Sequence, residues 1–167
     1  MITLVSELHS RHIRVPILLW RRLIFDLRRS GDGRRESGAF LLGSLRGPTP
    51  ITRSYVCYHD LDPNAYQGGG IAFHAAGCAA LWSYCRESSL EILADVHTHP
   101  GRSTRQSETD RRNPMLPLVG HIALIVPNFA STPWWSIDGV GVYEYLGNFQ
   151  WRTDNDRSAA RLKLSLW

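Results

Sequence analysis

Apolar positions recur at helical spacing between Pro16 and Arg29, where Ile17, Leu18, Leu23, Ile24 and Leu27 stand among Arg21, Arg22, Arg28 and Arg29. That pattern predicts an amphipathic helix ended by Ser30-Gly31-Asp32-Gly33. Ser37 to Ser44 is a short apolar run with two glycines, bounded by charge and by Gly47-Pro48, and predicts a buried strand. Ile51 to His59 alternates as a second strand, and Asp60 to Gly70 is a polar loop with Pro63, Asn64 and a glycine run. Phe73 to Glu87 predicts a second helix, with Phe73, Ala76, Ala80, Leu81 and Tyr84 on its apolar face. Leu90 to Val96 predicts a strand that runs straight into His97. After a polar loop from Pro100 to Gln106, Ser107 is placed to cap a short helix through Arg112. His121 to Val126 is another buried strand, Pro127 to Pro133 a loop, and Trp134 to Ile137 the start of a further strand. Val140 to Leu146 and Phe149 to Thr153 form a hairpin turned at Gly147-Asn148. Asp154 to Trp167 reads as a C-terminal helix or tail.

The order α-β-β-α-β-α-β-β-β, with one helix between the second and third strands, predicts an α/β or α+β fold with a mixed central sheet flanked by helices. A chain of 167 residues suits one compact domain over 1–167. Apolar residues at 43% and charged residues at 20% exclude a disordered composition. No apolar run has the length of a bilayer span, and Val15 to Trp20 ends in Arg21-Arg22 without a small-residue cleavage site. The expected setting is therefore soluble and cytoplasmic. Three cysteines, Cys57, Cys78 and Cys85, with no close pair argue against a disulfide or cysteine-zinc scaffold, and Cys78 and Cys85, seven apart in a helical stretch, read as buried small hydrophobes. The net charge is +4, carried almost wholly by arginine, with Lys163 as the single lysine. The arginines are dispersed and form no aromatic-interleaved stripe, so no nucleic-acid partner is expected; docking to an acidic protein surface is the alternative use of the charge.

The chemistry concentrates in His97-Thr98-His99-Pro100 and Ser107-Glu108-Thr109-Asp110. On an extended strand end, residues two apart face the same way, so His97 and His99 can offer two imidazoles to one ion. Seven residues separate His99 from Ser107, and Ser107 and Asp110 share one side of a helical turn. Two histidines and a carboxylate make a three-ligand zinc set that leaves a fourth position open, as catalytic sites do. On spacing alone, the plainer alternative also stands: His-x-His is common in hydrogen-bonded structure, and Ser-x-x-Asp is a common helix cap. Glu36, directly before the buried glycine-containing run, is either a solvated strand end or a placed catalytic group.

Together, a glutamate leading into a small-residue strand, His-x-His-Pro, and Ser-x-x-Asp at this spacing resemble the JAB/MPN family with its JAMM metalloprotease motif. The Asp95 to Gly101 segment, DVHTHPG, also looks like the family, and the resemblance spans roughly Glu36 to Val126. It implies an MPN/cytidine-deaminase-like fold and one catalytic Zn²⁺ held by His97, His99 and Asp110. It further implies Glu36 as the base that takes a proton from zinc-bound water, and Ser107 as a hydroxyl that stabilises the tetrahedral oxyanion. The implied activity is hydrolysis after the C-terminus of a ubiquitin-like protein, on conjugates or a precursor. Near-minimal size for the domain is similar to stand-alone prokaryotic members, which implies a bacterial conjugation system with E1-like and E2-like enzymes and an antiviral defence role. Processing of a sulfur-carrier protein is the second enzymatic reading, and a non-catalytic MPN scaffold the reading from another class.

The other histidines have plainer expectations. His9 and His12 lie in a polar N-terminal stretch, His59 at a strand end, His74 at a helix start and His121 at the start of a buried strand. A place behind the metal ligands or against substrate is the lesser reading for each. Gly68 to Gly70 lacks the Lys-Ser/Thr of a phosphate loop and reads as flexible connection. Trp134 and Trp135 are expected in the core. The loops Asp60 to Gly70 and Pro127 to Gly139 are where the substrate body is expected to rest.

Overall fold

The computed structural model describes residues 12–46, 49–67, 70–153 and 161–166. Eight strands form one mixed sheet, in the order β7-β6-β5-β4-β2-β3-β1-β8. In chain order these are β1 (Ile13–Pro16), β2 (Gly38–Ser44), β3 (Ile51–Cys57), β4 (Glu91–Thr98), β5 (Ile122–Val126), β6 (Gly141–Gly147), β7 (Gln150–Thr153) and β8 (Leu162–Ser165). The helices are α1 (Ile17–Gly31), α2 (Tyr58–Leu61), α3 (Ala75–Ser88) and α4 (Glu108–Arg112), with a single 3-10 turn at Asn128–Ala130. Among the described residues no helix is long and apolar enough to cross a membrane.

Period-two alternation explains the layers. Ala39 and Leu41 of β2 face α1, joining Trp20, Leu23, Ile24 and Leu27 with Ala94 and Val96 of β4 and Leu124 of β5. Phe40 and Leu42 point the other way, onto Tyr58, Leu81 and Cys85. Burial on both faces is why β2 reads as a continuous apolar run rather than an alternating one. Each such side chain contributes about 1.5–3 kcal/mol when fully withdrawn from water. α1 ends as expected, with Asp32 in the left-handed region at φ 49° and its N–H bonded to the Arg28 carbonyl.

Two sequence expectations are corrected. Trp134 to Ile137 forms no strand; the segment is turn and coil, with Trp134 packed on the core and Trp135 62% exposed. The pair therefore divides between core and solvent. Leu162–Ser165 is a strand and not a helix or tail, paired in parallel with β1, so that Ile13 lies opposite Leu162. Ile13–Pro16 is itself a strand that precedes the helix, and Tyr58–Leu61 adds a short helix within the segment expected as a strand end and loop. His9, Gly47-Pro48, Gly68-Gly69, the stretch 154–160 and Trp167 lie outside the described residues. Cys57 and Cys85 are buried free thiols, and Cys78 is partly buried.

Candidate metal centre

β4 pairs antiparallel with β2 and parallel with β5, placing Gly38 and Ile125 beside His97. His97 and Asp95 share the face that carries Phe40, while Thr98 points to the other side, where its Oγ1 accepts the Ser37 N–H at 3.0 Å. The chain leaves β4 held on both sides: the Thr98 N–H donates to the Ser37 carbonyl and the His99 N–H to the Val126 carbonyl, each at 2.9 Å. His99 is thereby extended past the sheet end, and its imidazole comes to lie beside that of His97.

Ser107 caps α4 as the sequence predicts. Its Oγ accepts the Asp110 N–H at 3.1 Å, and its own N–H donates to Asp110 Oδ2 at 2.7 Å, a reciprocal capping box. The cap reading and the ligand reading of Ser-x-x-Asp thus hold together, because the box aims the Asp110 carboxylate at the histidines. Asp110 Oδ2 lies 3.2 Å from His99 Nε2, Asp110 Oδ1 3.6 Å from His97 Nε2, and the two Nε2 atoms 3.2 Å apart. The three groups form the described His/Asp cluster able to hold a metal ion.

The donor set fits a cation. Three donors about 2.0–2.1 Å from a tetrahedral metal stand roughly 3.3–3.4 Å apart, and the 3.2 Å between the two Nε2 atoms and the 3.2 Å from His99 Nε2 to Asp110 Oδ2 lie near that spacing. Two imidazole nitrogens facing each other at 3.2 Å repel through their lone pairs unless a proton or cation lies between them. The side chains of His97, His99 and Asp110 are 8%, 10% and 18% exposed, so the cluster is shielded without being closed. His99 Nδ1 faces the Ser103 carbonyl at 3.3 Å, which favours the tautomer with Nε2 free to ligate.

Electrostatics follow the same arrangement. Burial works to raise the Asp110 carboxyl, but the His99 contact, the His97 charge and the bonds from Ser107 outweigh it and hold the group down to about 2. Glu36 moves the other way: burial raises its carboxyl above the ordinary value, opposed by His97 and His99 and reinforced by Asp110. Glu36 lies with His97, Ser107 and Asp110 on the wall of a cleft of about 890 Å³. Apolar residues Ile71, Phe73, Met115, Phe149 and Trp151 line the same cleft, together with polar groups that include Gln106, Arg112 and Asn113. Of the loops expected to carry substrate, Gly70 reaches this wall, and no residue of Pro127 to Gly139 does. The Trp151 indole N–H donates to the Arg111 carbonyl at 3.0 Å, tying the β6–β7 hairpin to the helix that presents Asp110.

Behind the cluster lies a group that sequence reasoning named only in part, Asp95 within the DVHTHPG segment and His121 as a lesser reading, and did not assemble. Asp95, 1% exposed, accepts a hydrogen bond on Oδ1 from His121 Nε2 at 2.7 Å and on Oδ2 from the Tyr58 hydroxyl at 3.2 Å. Burial acts to raise Asp95, yet the contacts with His121 and His97 prevail and leave it below its ordinary value. The visible signal was alternation: Asp95 and His97 are two apart on one strand. His12, His59 and His74 lie outside the cluster, His59 beside Asp60 at 3.5 Å and His74 bonded to Asp62 at 2.7 Å.

A model of the prokaryotic homologs of the JAB domain matches residues 21–138. Over 53 residues the chain is 42% identical to the probable metalloprotease y4jG of Sinorhizobium fredii, a stretch covering 32% of this chain and 31% of that relative. The match therefore spans less than a third of the relative's length. Among solved structures, protein DSY2949 from Desulfitobacterium hafniense superposes with a TM-score of 0.64 at 16% identity, covering 92% of each chain. A protein from Salinibacter ruber superposes with a TM-score of 0.53 at 16% identity, covering 84% of this chain and 87% of that one. AF2198, a JAB1/MPN domain protein from Archaeoglobus fulgidus, gives a TM-score of 0.45 at 16% identity, with 93% and 97% covered. At such identities the first two likenesses concern the fold alone.

Proposed function

The chain belongs to the family of prokaryotic homologs of the JAB domain, and on that footing we propose that it is a zinc-dependent peptidase cleaving after the C-terminus of a ubiquitin-like protein. The observation that carries this reading is the convergence of His97 Nε2, His99 Nε2 and the Asp110 carboxylate, whose Oδ2 lies 3.2 Å from His99 and whose Oδ1 lies 3.6 Å from His97, beside a cleft that also holds Glu36. The designation of the Sinorhizobium relative as a probable metalloprotease supports the metal and the peptidase parts. His97, His99 and Asp110 would hold the ion. Zinc bound there supplies a Lewis acid for a scissile carbonyl and acidifies water at neutral pH.

The remaining work falls to the chain's own groups. Glu36 holds and moves the proton: its carboxylate accepts one from the attacking water and hands it to the leaving amine. A carboxyl raised by burial is a weaker acid than an exposed one, which suits it to both halves of that task. The Ser107 oxygen accepts the Asp110 N–H, and its hydroxyl stands on the cleft wall beside the cluster, where it would turn to donate to negative charge developing on the substrate. An extended C-terminal tail of a ubiquitin-like protein would lie in the cleft, with Ile71, Phe73 and Met115 excluding water around the reacting bond.

The substrates in this reading are conjugates of the ubiquitin-like protein, or its precursor, within a bacterial conjugation system that includes E1-like and E2-like enzymes and serves antiviral defence. The test is cleavage of a ubiquitin-like fusion or conjugate by the zinc-loaded protein, compared with Glu36→Ala at matched zinc occupancy. Zinc-dependent cleavage by the wild type, lost in the variant, is the expected outcome. Equal rates for the two would overturn the assignment.

A further inference from the structure

The two histidines of the cluster differ in what lies behind them. His99 Nδ1 has a backbone acceptor, the Ser103 carbonyl at 3.3 Å. His97 Nδ1 is buried and makes no hydrogen bond, and the carboxylate nearest it is Asp95, with Oδ2 at 3.9 Å. An N–H···O bond requires about 2.7–3.2 Å, so an approach of roughly an ångström would complete it. Leaving a buried ring N–H without a partner is costly, and Asp95 is positioned to remove that cost.

Asp95 is itself held from behind by two groups from separate parts of the chain. Tyr58 of α2 donates to the oxygen that faces His97, and His121, directly before β5, donates to the other oxygen. Tyr58 reaches this place because residue 38 is glycine: a Cβ there would stand 2.2 Å from the Tyr58 ring. Asp95, His121 and Tyr58 take no part in the hydrolytic steps described above. A carboxylate 1% exposed would be an expensive passenger in a core built only for stability.

We propose that Asp95 is the positioning residue for His97, its carboxylate taking the Nδ1–H so that Nε2 is presented to the metal, with His121 and Tyr58 fixing the carboxylate in turn. The inference rests on the metal-centre reading above. Carboxylates behind ligating histidines set the tautomer and ring orientation and raise the basicity of the ligand.

Zinc affinity decides it, measured by competition with a chromophoric chelator on the full chain as wild type, Asp95→Asn and His121→Gln. Asp95→Asn is expected to weaken zinc binding about 10–100-fold, and His121→Gln to weaken it less. Parity with wild type in an Asp95→Asn protein that melts at the wild-type temperature would overturn the inference while leaving the metal centre intact. Should the wild type itself take up no zinc, the metal-centre reading falls, and this inference with it. A second measurement needs no variant. In the zinc-loaded wild type, long-range ¹H–¹⁵N spectra should show His97 with a slowly exchanging proton on Nδ1 and the metal on Nε2. Coordination through Nδ1, or an Nδ1 proton exchanging as fast as that of an exposed imidazole, would overturn it even if the Asp95 variants fail to fold.

Discussion

In Ser107→Ala the side-chain acceptor for the Asp110 N–H disappears, while the backbone N–H of residue 107 remains on Asp110 Oδ2. Half of the capping box is lost from a helix of five residues that has no buried side chain of its own to anchor it. Loss of such a cap costs about 1 kcal/mol. Because Asp110 is the third residue of that helix, fraying of its first turn competes with presentation of the carboxylate. With full coupling, about 1 kcal/mol becomes a roughly fivefold weaker zinc affinity. Ser107→Gly is the informative partner, since glycine costs only a few tenths of a kcal/mol at a cap, or less than about twofold in affinity. Both variants lack the hydroxyl, so both should lose about 10²-fold in kcat at saturating zinc if Ser107 donates to the developing oxyanion. Ser107→Thr keeps acceptor and donor and should remain near wild type in both readouts. The assay pairs chelator competition for zinc with steady-state cleavage of a ubiquitin-like fusion. Should Ala and Gly retain kcat within about threefold of wild type at full zinc occupancy, the donor role is refuted at the magnitude expected of it. Should Gly weaken zinc as much as Ala, the cap is not what holds Asp110 in place.

Glu36→Gln should keep zinc and lose about 10²–10⁴-fold in turnover, read by metal analysis and single-turnover cleavage. For the wild type, burial raises the Glu36 carboxyl and the base acts deprotonated. kcat/KM of the zinc-loaded protein should therefore fall as pH decreases and Glu36 takes up its proton, and a rate that stays flat down to the pH at which zinc is lost would count against Glu36 as the base. Gly38→Ala drives a Cβ to 2.2 Å from the Tyr58 ring, and a thermal melt should show destabilisation of about 1–3 kcal/mol or more. Asp62 is held below its ordinary pKa, first by the His74 backbone N–H, with further bonds from the His74 ring and the Asn64 N–H outweighing burial. A depressed carboxyl stabilises above its unfolded value of about 3.9, and that contribution is lost as pH falls through the folded value. Asp62→Asn should accordingly flatten the acid side of the stability curve, and an unchanged acid slope would remove Asp62 from that account.

What was legible in the sequence was local. α1, β2, β4, β5 and the β6–β7 hairpin are periodic segments bounded by glycine or charge, and their side chains report their own burial; α3 was legible as a helix but not in its face, which buries Gly77, Leu81 and Cys85 and leaves Ala76 and Tyr84 exposed. His97, His99, Ser107 and Asp110 were legible for the same reason, because the distances that matter lie within fourteen residues of chain. β1 and β8 were not. Ile13–Pro16 and Leu162–Ser165 are four residues each, too short for a period; β8 is a strand because β1 lies beside it across the length of the chain, and β1 because it stands between β3 and β8. Trp134-Trp135 misled through composition: β-prone aromatics suggested a strand, but Arg21 stacks over Trp134 at 5.0 Å and pins that ring to α1, leaving Trp135 to solvent. The Asp95–His121–Tyr58 group was legible only in part: Asp95 stands two residues before His97 on one strand, but nothing in the spacing of Tyr58 or His121 joins them to Asp95 before the chain folds.

The same logic accounts for the most strained backbone near the cluster. Asn128, Phe129 and Ala130 all lie in the left-handed region, at φ 55°, 50° and 60°. Each L-residue there costs roughly 1–2 kcal/mol, and asparagine is the one among them that tolerates it. Nothing in the sequence of that loop asks for such a turn, since no glycine is present to allow it. The turn does satisfy the carbonyls of the ligand loop: the Phe129 N–H donates to the His99 carbonyl at 2.8 Å and the Asn128 N–H to the Gly101 carbonyl at 2.9 Å. Carried past the end of β4 to place its imidazole by that of His97, His99 has no neighbouring strand left to donate an N–H to its carbonyl. A left-handed turn after β5 supplies the donor that the sheet no longer can. The strain at Asn128–Ala130 is thus a consequence of where His99 must stand, and the fold tolerates it because Ala130 is 1% exposed and packed into the α1 core.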